Sequence, residues 1–182
     1  MVFVSWCGSM LDQHTVGSGL LTRLIAALRL DLRLYEEVSR DAAAGAQAFR
    51  VVLLAGLSNG FSLVARIGAQ GIVAGVGAAL LGWVLWAGVI WLTARLFGHR
   101  REGRSLLRAL GFADSPCVFL FLGAHPTIGA PIRFFVVVWL LAATARAVQA
   151  VYAVVTRRAV VITVLGFLVY LVLGAVSAHF AS

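Results

Sequence analysis

Lysine is absent from this chain of 182 residues, acids number seven, prolines three and cysteines two. Each shortage excludes something. Charged residues make up 12% of the chain, about half of what an ordinary soluble domain carries, so a water-exposed surface cannot be built from them. Cys7 and Cys117 form no CxxC pair and no repeated spacing, which leaves neither a zinc site nor a redox motif. His14, His99, His125 and His179 are scattered, so no metal constellation exists either. There is no P-loop, no nucleophile elbow, no paired carboxylate and no glycine fingerprint after a strand. Nothing in the chain points to catalysis or to a cofactor.

What is present is apolar. Hydrophobic residues make up 62% of the chain, and the mean hydropathy is +0.98. A globule of this size could not hide that much apolar surface from water, so the chain reads as an integral membrane protein. All fifteen basic residues are arginine, for a net charge of +8. These arginines lie between apolar runs, as membrane topology requires, rather than on one solvated face, and a nucleic-acid partner is rejected on that ground. Arginine without lysine in a chain rich in Ala, Gly, Val and Leu suggests a GC-rich bacterial coding sequence, and with it a bacterial cytoplasmic membrane.

The chain divides into three parts. Residues 1–19 read as a mobile leader, with Met10 an alternative start. Residues 20–41 carry Leu21, Leu24, Ile25, Leu28, Leu32 and Tyr35 at the spacing of one helix face. Arg23, Arg29 and Arg33 fall mostly on the other side, and Arg33 stands four residues before Glu37 as an ion pair would. This predicts an amphipathic helix at the headgroup boundary, its arginines meeting lipid phosphates. A cytosolic helix packed on the bundle is the alternative.

Residues 42–182 contain five apolar segments, at about 43–64, 71–97, 107–123, 132–155 and 159–178. A helix needs about 20 residues to cross a hydrocarbon core of about 30 Å. The second, fourth and fifth segments qualify outright. The first, interrupted by Ser58-Asn59-Gly60, and the third, holding Asp114-Ser115-Pro116, are weaker. With a cytoplasmic N-terminus and five crossings, thirteen of the fifteen arginines fall inside and only Arg66 and Arg133 outside, as the positive-inside rule asks. The expected fold is therefore all-α, a polytopic membrane helix bundle with its C-terminus outside.

Small residues recur at helical spacing in Gly71, Gly75 and Gly82, and again from Gly174, marking faces for close helix packing. The chemistry-bearing stretch surrounds Asp114. An acid at membrane depth is expensive, and Pro116 removes a backbone donor. The carboxyl and the freed carbonyl need partners, for which Arg108, Ser115, Ser58 and Asn59 are candidates. Asp114 either caps a helix that restarts at Pro116 or forms a proton or ion site. Trp83 and Trp86 lie at mid-span, where tryptophan is ordinarily core filler.

The run Arg108-Ala-Leu-Gly-Phe-Ala-Asp-Ser-Pro116, the preceding Trp86-Ala-Gly-Val-Ile-Trp91, and the later Trp139-Leu-Leu-Ala, Arg146-Ala-Val-Gln149 and Thr156-Arg-Arg-Ala-Val-Val161 together resemble the Yip1 domain family over residues 20–180. The resemblance implies five membrane helices and a cytoplasmic N-terminus. Eukaryotic members are associated with Rab GTPases and vesicle traffic through a longer N-terminal region. This chain lacks that region, so Rab binding does not carry over. The expected function is a non-enzymatic membrane scaffold or adaptor, with the lipid bilayer and either a membrane-protein partner or a second copy as partners. A small transporter or channel built on Asp114 is the alternative.

Overall fold

Hydrocarbon offers no hydrogen bonds to a peptide group, so long apolar runs satisfy their backbone as helices, and the described residues of this chain do so. The computed structural model describes residues 19–99, 101–125 and 127–180, with side chains throughout except at 65, 66 and 173–180. The proposed leader and the packing role of Gly174 lie outside that description. Among the described residues there are seven α-helices, one 3-10 helix and no strand. In order these are α1 (Leu20–Leu28), α2 (Leu32–Arg40), α3 (Ala44–Ile67), α4 (Gln70–Leu96), α5 (Gly103–Ala113), the 3-10 helix η1 (Ser115–Ala124), α6 (Gly129–Tyr152) and α7 (Thr156–Phe180).

Among the described residues, four stretches are long and apolar enough to cross a membrane: Ala44–Val64, Gln70–Leu96, Gly103–Ala124 and Gly129–Tyr152. Helix α7, with 25 residues, has the length of a fifth, and at 1.5 Å per residue it extends to roughly 37 Å. The expected count of about five thus agrees with the fold. The third crossing is a composite, since α5 gives way to η1 at Asp114. Exposed Leu81, Leu85, Phe134, Phe135, Val138, Leu168 and Leu171 cover the outside of the bundle, an apolar surface that only lipid can solvate.

Helices α3 and α4 run antiparallel at very close approach. A Cβ added at Gly56 would come within 2.9 Å of Val76 Cα, and one at Gly60 within 2.7 Å of Ile72 Cα. One at Gly71 would meet the backbone of Leu63 at 2.9 Å, and one at Gly75 would overlap the backbone of Gly60. The two GxxxG spacings, 56–60 and 71–75, therefore interlock backbone to backbone, which lets dispersion replace the missing hydrophobic drive. Gly71 and Gly75 fill the packing role expected of them. Gly82 does not: an added Cβ there would find only the Tyr170 hydroxyl, at 3.8 Å.

The N-terminal segment departs from expectation. Residues 20–41 form two helices, not one, with the break at Arg29-Leu30-Asp31. Leu30 takes a left-handed φ of 59°, Leu30 N donates to Ala27 O, and Asp31 N donates to Ala26 O, which is a Schellman ending with leucine where glycine is usual. Asp31 then caps α2 by accepting from Arg33 N at 3.0 Å. The chain reverses, and Leu34, Tyr35 and Val38 become fully buried against α5 and α6. Burial of that stripe outweighs the strain at Leu30, about 1–2 kcal/mol for a non-glycine residue.

The glycine crossing predicts a clear contrast. Gly60→Val and Gly75→Val should each destabilise the bundle by about 1–3 kcal/mol through overpacking. Gly77→Ala, where an added Cβ meets nothing within 4 Å, should be neutral. Thermal unfolding of the three variants in detergent checks this.

Candidate functional site

The composite third crossing creates the site. Proline at 116 leaves no amide to donate, and the backbone tightens into a 3-10 helix of ten residues, far longer than the usual three or four. Its stability comes from α3. Ser58 Oγ donates to Val118 O at 2.5 Å and accepts from Phe121 N at 2.9 Å. One hydroxyl thus bridges a carbonyl and an amide of the 3-10 ladder. At the far end Arg133 donates to Gly123 O at 2.8 Å, satisfying a terminal carbonyl.

Asp114 stands at the junction, yet its side chain makes no capping hydrogen bond. The capping role expected for it is therefore not realised. The carboxyl lines a cavity of about 310 Å³ together with Asn59, Trp83, Trp86, Phe167 and Tyr170. The walls come from α3, α4, α6, α7 and the α5–η1 junction, so the cavity lies inside the bundle. Of the four candidates around the notch, Asp114 and Asn59 share this cavity. Pro116 is buried beside it, as the second residue of η1.

Arg108 is directed elsewhere. Its guanidinium donates to Ser39 O at 2.6 Å and to Val38 O at 3.2 Å, the orphan carbonyls at the end of α2. The partner expected for Asp114 is thus a capping group for the N-terminal hairpin. Trp139 Nε1 likewise donates to Leu28 O at 3.2 Å, and Tyr35 Oη to Ala27 O at 3.3 Å, at the end of α1. Donors from α5 and α6 seat both ends of the hairpin on the bundle.

Arg23 completes that seat. It is 4% exposed, and its guanidinium meets Glu37 at 2.6 Å, Asp41 at 2.9 Å and Gln47 at 2.8 Å. Burial works against its charge, but the two carboxylates outweigh that and raise its pKa above the ordinary arginine value. The same guanidinium holds the Asp41 carboxyl below the usual carboxylate range. Arg23 consequently faces inward and not toward lipid phosphate. Glu37 pairs with Arg23, not with Arg33 as its spacing suggested. Arg29 and Arg33 are exposed, on the outer side of the hairpin with Leu21 and Ile25.

Trp83 and Trp86 are more than filler. Trp83 Nε1 donates to Leu107 O at 2.9 Å, and Trp86 Nε1 to Thr144 Oγ1 at 3.4 Å. Trp86 also stands edge-on to Phe167 and Tyr170, with centroids 6.2 and 5.6 Å away. Sequence reasoning passed over this aromatic cluster because its members lie on two helices 81 or more positions apart. The one available signal was the mid-span position of two tryptophans.

A composite crossing, interlocked glycine helices and a cavity inside the bundle define a polytopic helical membrane protein. The model of the Yip1 domain family matches residues 33–178. The chain belongs to the Yip1 domain family, a family of membrane proteins not known as enzymes. No curated protein and no solved structure matches it.

Two outcomes follow from the clasp. Arg23→Gln should cost about 1–2 kcal/mol, reduced from a fully buried pair because both acids are partly exposed. Asp41 has a lowered folded pKa, so its contribution is present above the unfolded value near 4 and is lost as pH falls through the folded one. Amide exchange in α1 should therefore accelerate as pH drops below about 4, after correction for the intrinsic rate. Arg23→Gln should abolish that acid-dependent step.

Proposed function

We propose that this protein is a non-enzymatic scaffold or adaptor of the membrane, working through the α1–α2 hairpin at its cytoplasmic face. The observation that carries this reading is the way the hairpin is held. Arg108, Trp139 and the Arg23–Gln47 bond seat it on the bundle, Tyr35 and the Arg23–Glu37 pair tie its two helices together, and Leu21, Ile25, Arg29 and Arg33 are left outward. A rigid surface that pairs apolar and cationic groups suits an acidic, amphipathic element of a membrane partner at the headgroup boundary. The arginine distribution supports an N-terminus inside and a C-terminus outside, in a bacterial cytoplasmic membrane.

Deleting the whole hairpin would expose the core it covers, so surface substitutions make the better test. Ile25→Ser combined with Arg29→Glu and Arg33→Glu should release a copurifying membrane partner, with the melting temperature unchanged. Retention of the partner at the original stoichiometry would refute the reading. A reporter fused at the C-terminus should give an external signal, and a cytosolic one would overturn the orientation. Asp114 in the bundle cavity favours a second reading, a small transporter. Loss of flux in reconstituted Asp114→Asn vesicles, with folding intact, would support it.

A further inference from the structure

The cavity around Asp114 has a composition that the scaffold reading does not use. Most of its lining is apolar or aromatic: Trp83, Trp86, Phe167 and Tyr170 on one side, and Asp114 with the Asn59 amide as its polar groups. The rings are held in place by the indole hydrogen bonds and edge-on contacts already described. Within the span, a carboxyl is costly unless something compensates its charge. Among the described residues no ion pair involves Asp114 and no hydrogen bond of its side chain is present. Arg108, six positions before Asp114, is committed to the carbonyls of α2, Arg133 to Gly123 O at 2.8 Å and Arg146 to Gln149 Oε1 at 3.3 Å.

Aromatic faces attract cations through their quadrupole, and aromatic cages closed by a carboxylate are how proteins hold substituted ammonium groups. We propose that this cavity is a binding site for a hydrophobic ammonium compound. Its cationic nitrogen meets the Asp114 carboxylate, Trp83, Trp86, Phe167 and Tyr170 surround it, and its apolar part fills the remaining space. The size fits: a cavity of roughly 150 Å³ takes a benzene ring, and this one is about 310 Å³. Access is lateral. Ala78, Val137 and Tyr170 on its rim are exposed on the apolar outer surface, so the ligand enters from the bilayer and not from water. An anion would meet the carboxylate without a cation to hold it. A purely apolar molecule would leave the carboxylate uncompensated. This assignment is independent of the scaffold reading, because the hairpin surface and the cavity share no residue.

The test uses the purified full chain in dodecyl maltoside micelles and two probes of nearly the same shape. Benzyltrimethylammonium carries a permanent positive charge, and neopentylbenzene has carbon in place of its nitrogen. Bound probe is measured by equilibrium dialysis against protein-free micelles. Saturable binding of one ammonium per chain is expected, with affinity at least tenfold above that of the neutral isostere. Asp114→Asn should remove most of that preference, and Trp86→Leu should weaken the ammonium about fivefold. Gly82→Leu, whose side chain projects into the cavity, should block both probes and so confirms the place even where Asp114→Asn fails to fold. Equal affinity for the two probes would overturn the proposal, as would ammonium binding that Gly82→Leu leaves unchanged.

Discussion

Every peptide group that leaves a regular helix inside a bilayer must find a partner from the protein itself, because hydrocarbon supplies none. The bundle is organised around meeting that requirement at a few points. Ser58 bridges the 3-10 ladder of η1, Arg133 takes the Gly123 carbonyl near its end, and Arg108 and Trp139 take carbonyls that end α2 and α1. Without such donors the third crossing would have no reason to adopt so long a 3-10 helix. The α1–α2 hairpin would have no fixed seat. The cavity follows from the same solution, since the change of helix type at Asp114 leaves room among five helices.

Charge is used sparingly and in two different ways. At the hairpin, the buried Arg23 is compensated by Glu37, Asp41 and Gln47, so a charged group becomes a structural clasp. In the bundle, Asp114 is not compensated by the described protein groups at all. The first arrangement closes on itself, whereas the second has capacity for something more. That contrast separates a structural ionic site from a candidate binding site more clearly than burial alone.

Close backbone approach divides the membrane part into a tight half and a looser one. Gly56, Gly60, Gly71 and Gly75 bring α3 and α4 into backbone contact, leaving no space between them. Further along α4, Gly82 has room where Gly71 and Gly75 have none, and large aromatic rings replace glycine as the packing material. Stiffness at one end and an aromatic-lined cavity at the other both arise from residue size along the same helix.

Much of this protein was legible from order and composition. The membrane class, the all-helical fold and the count of about five spans follow from apolar run length, which the hydrocarbon thickness alone demands, and the family from the order of a few short motifs such as Arg108–Pro116. The Gly71–Gly75 packing face was readable too, because period and size suffice to mark it. The break at Leu30 was not, since leucine gives no sign of a left-handed turn and only Asp31 hinted at a new helix start. Nor could sequence tell which donor meets which carbonyl: Arg108 and Asp114 are six residues apart on one element, yet they serve opposite sides of it. The aromatic cluster joins α4 to α7 across the bundle. Run length and periodicity are local properties, fixed by the chain and its solvent. Partner choice for Arg108, Arg23 and Asp114 depends on how helices distant in sequence cross, and that was decided only by tertiary packing.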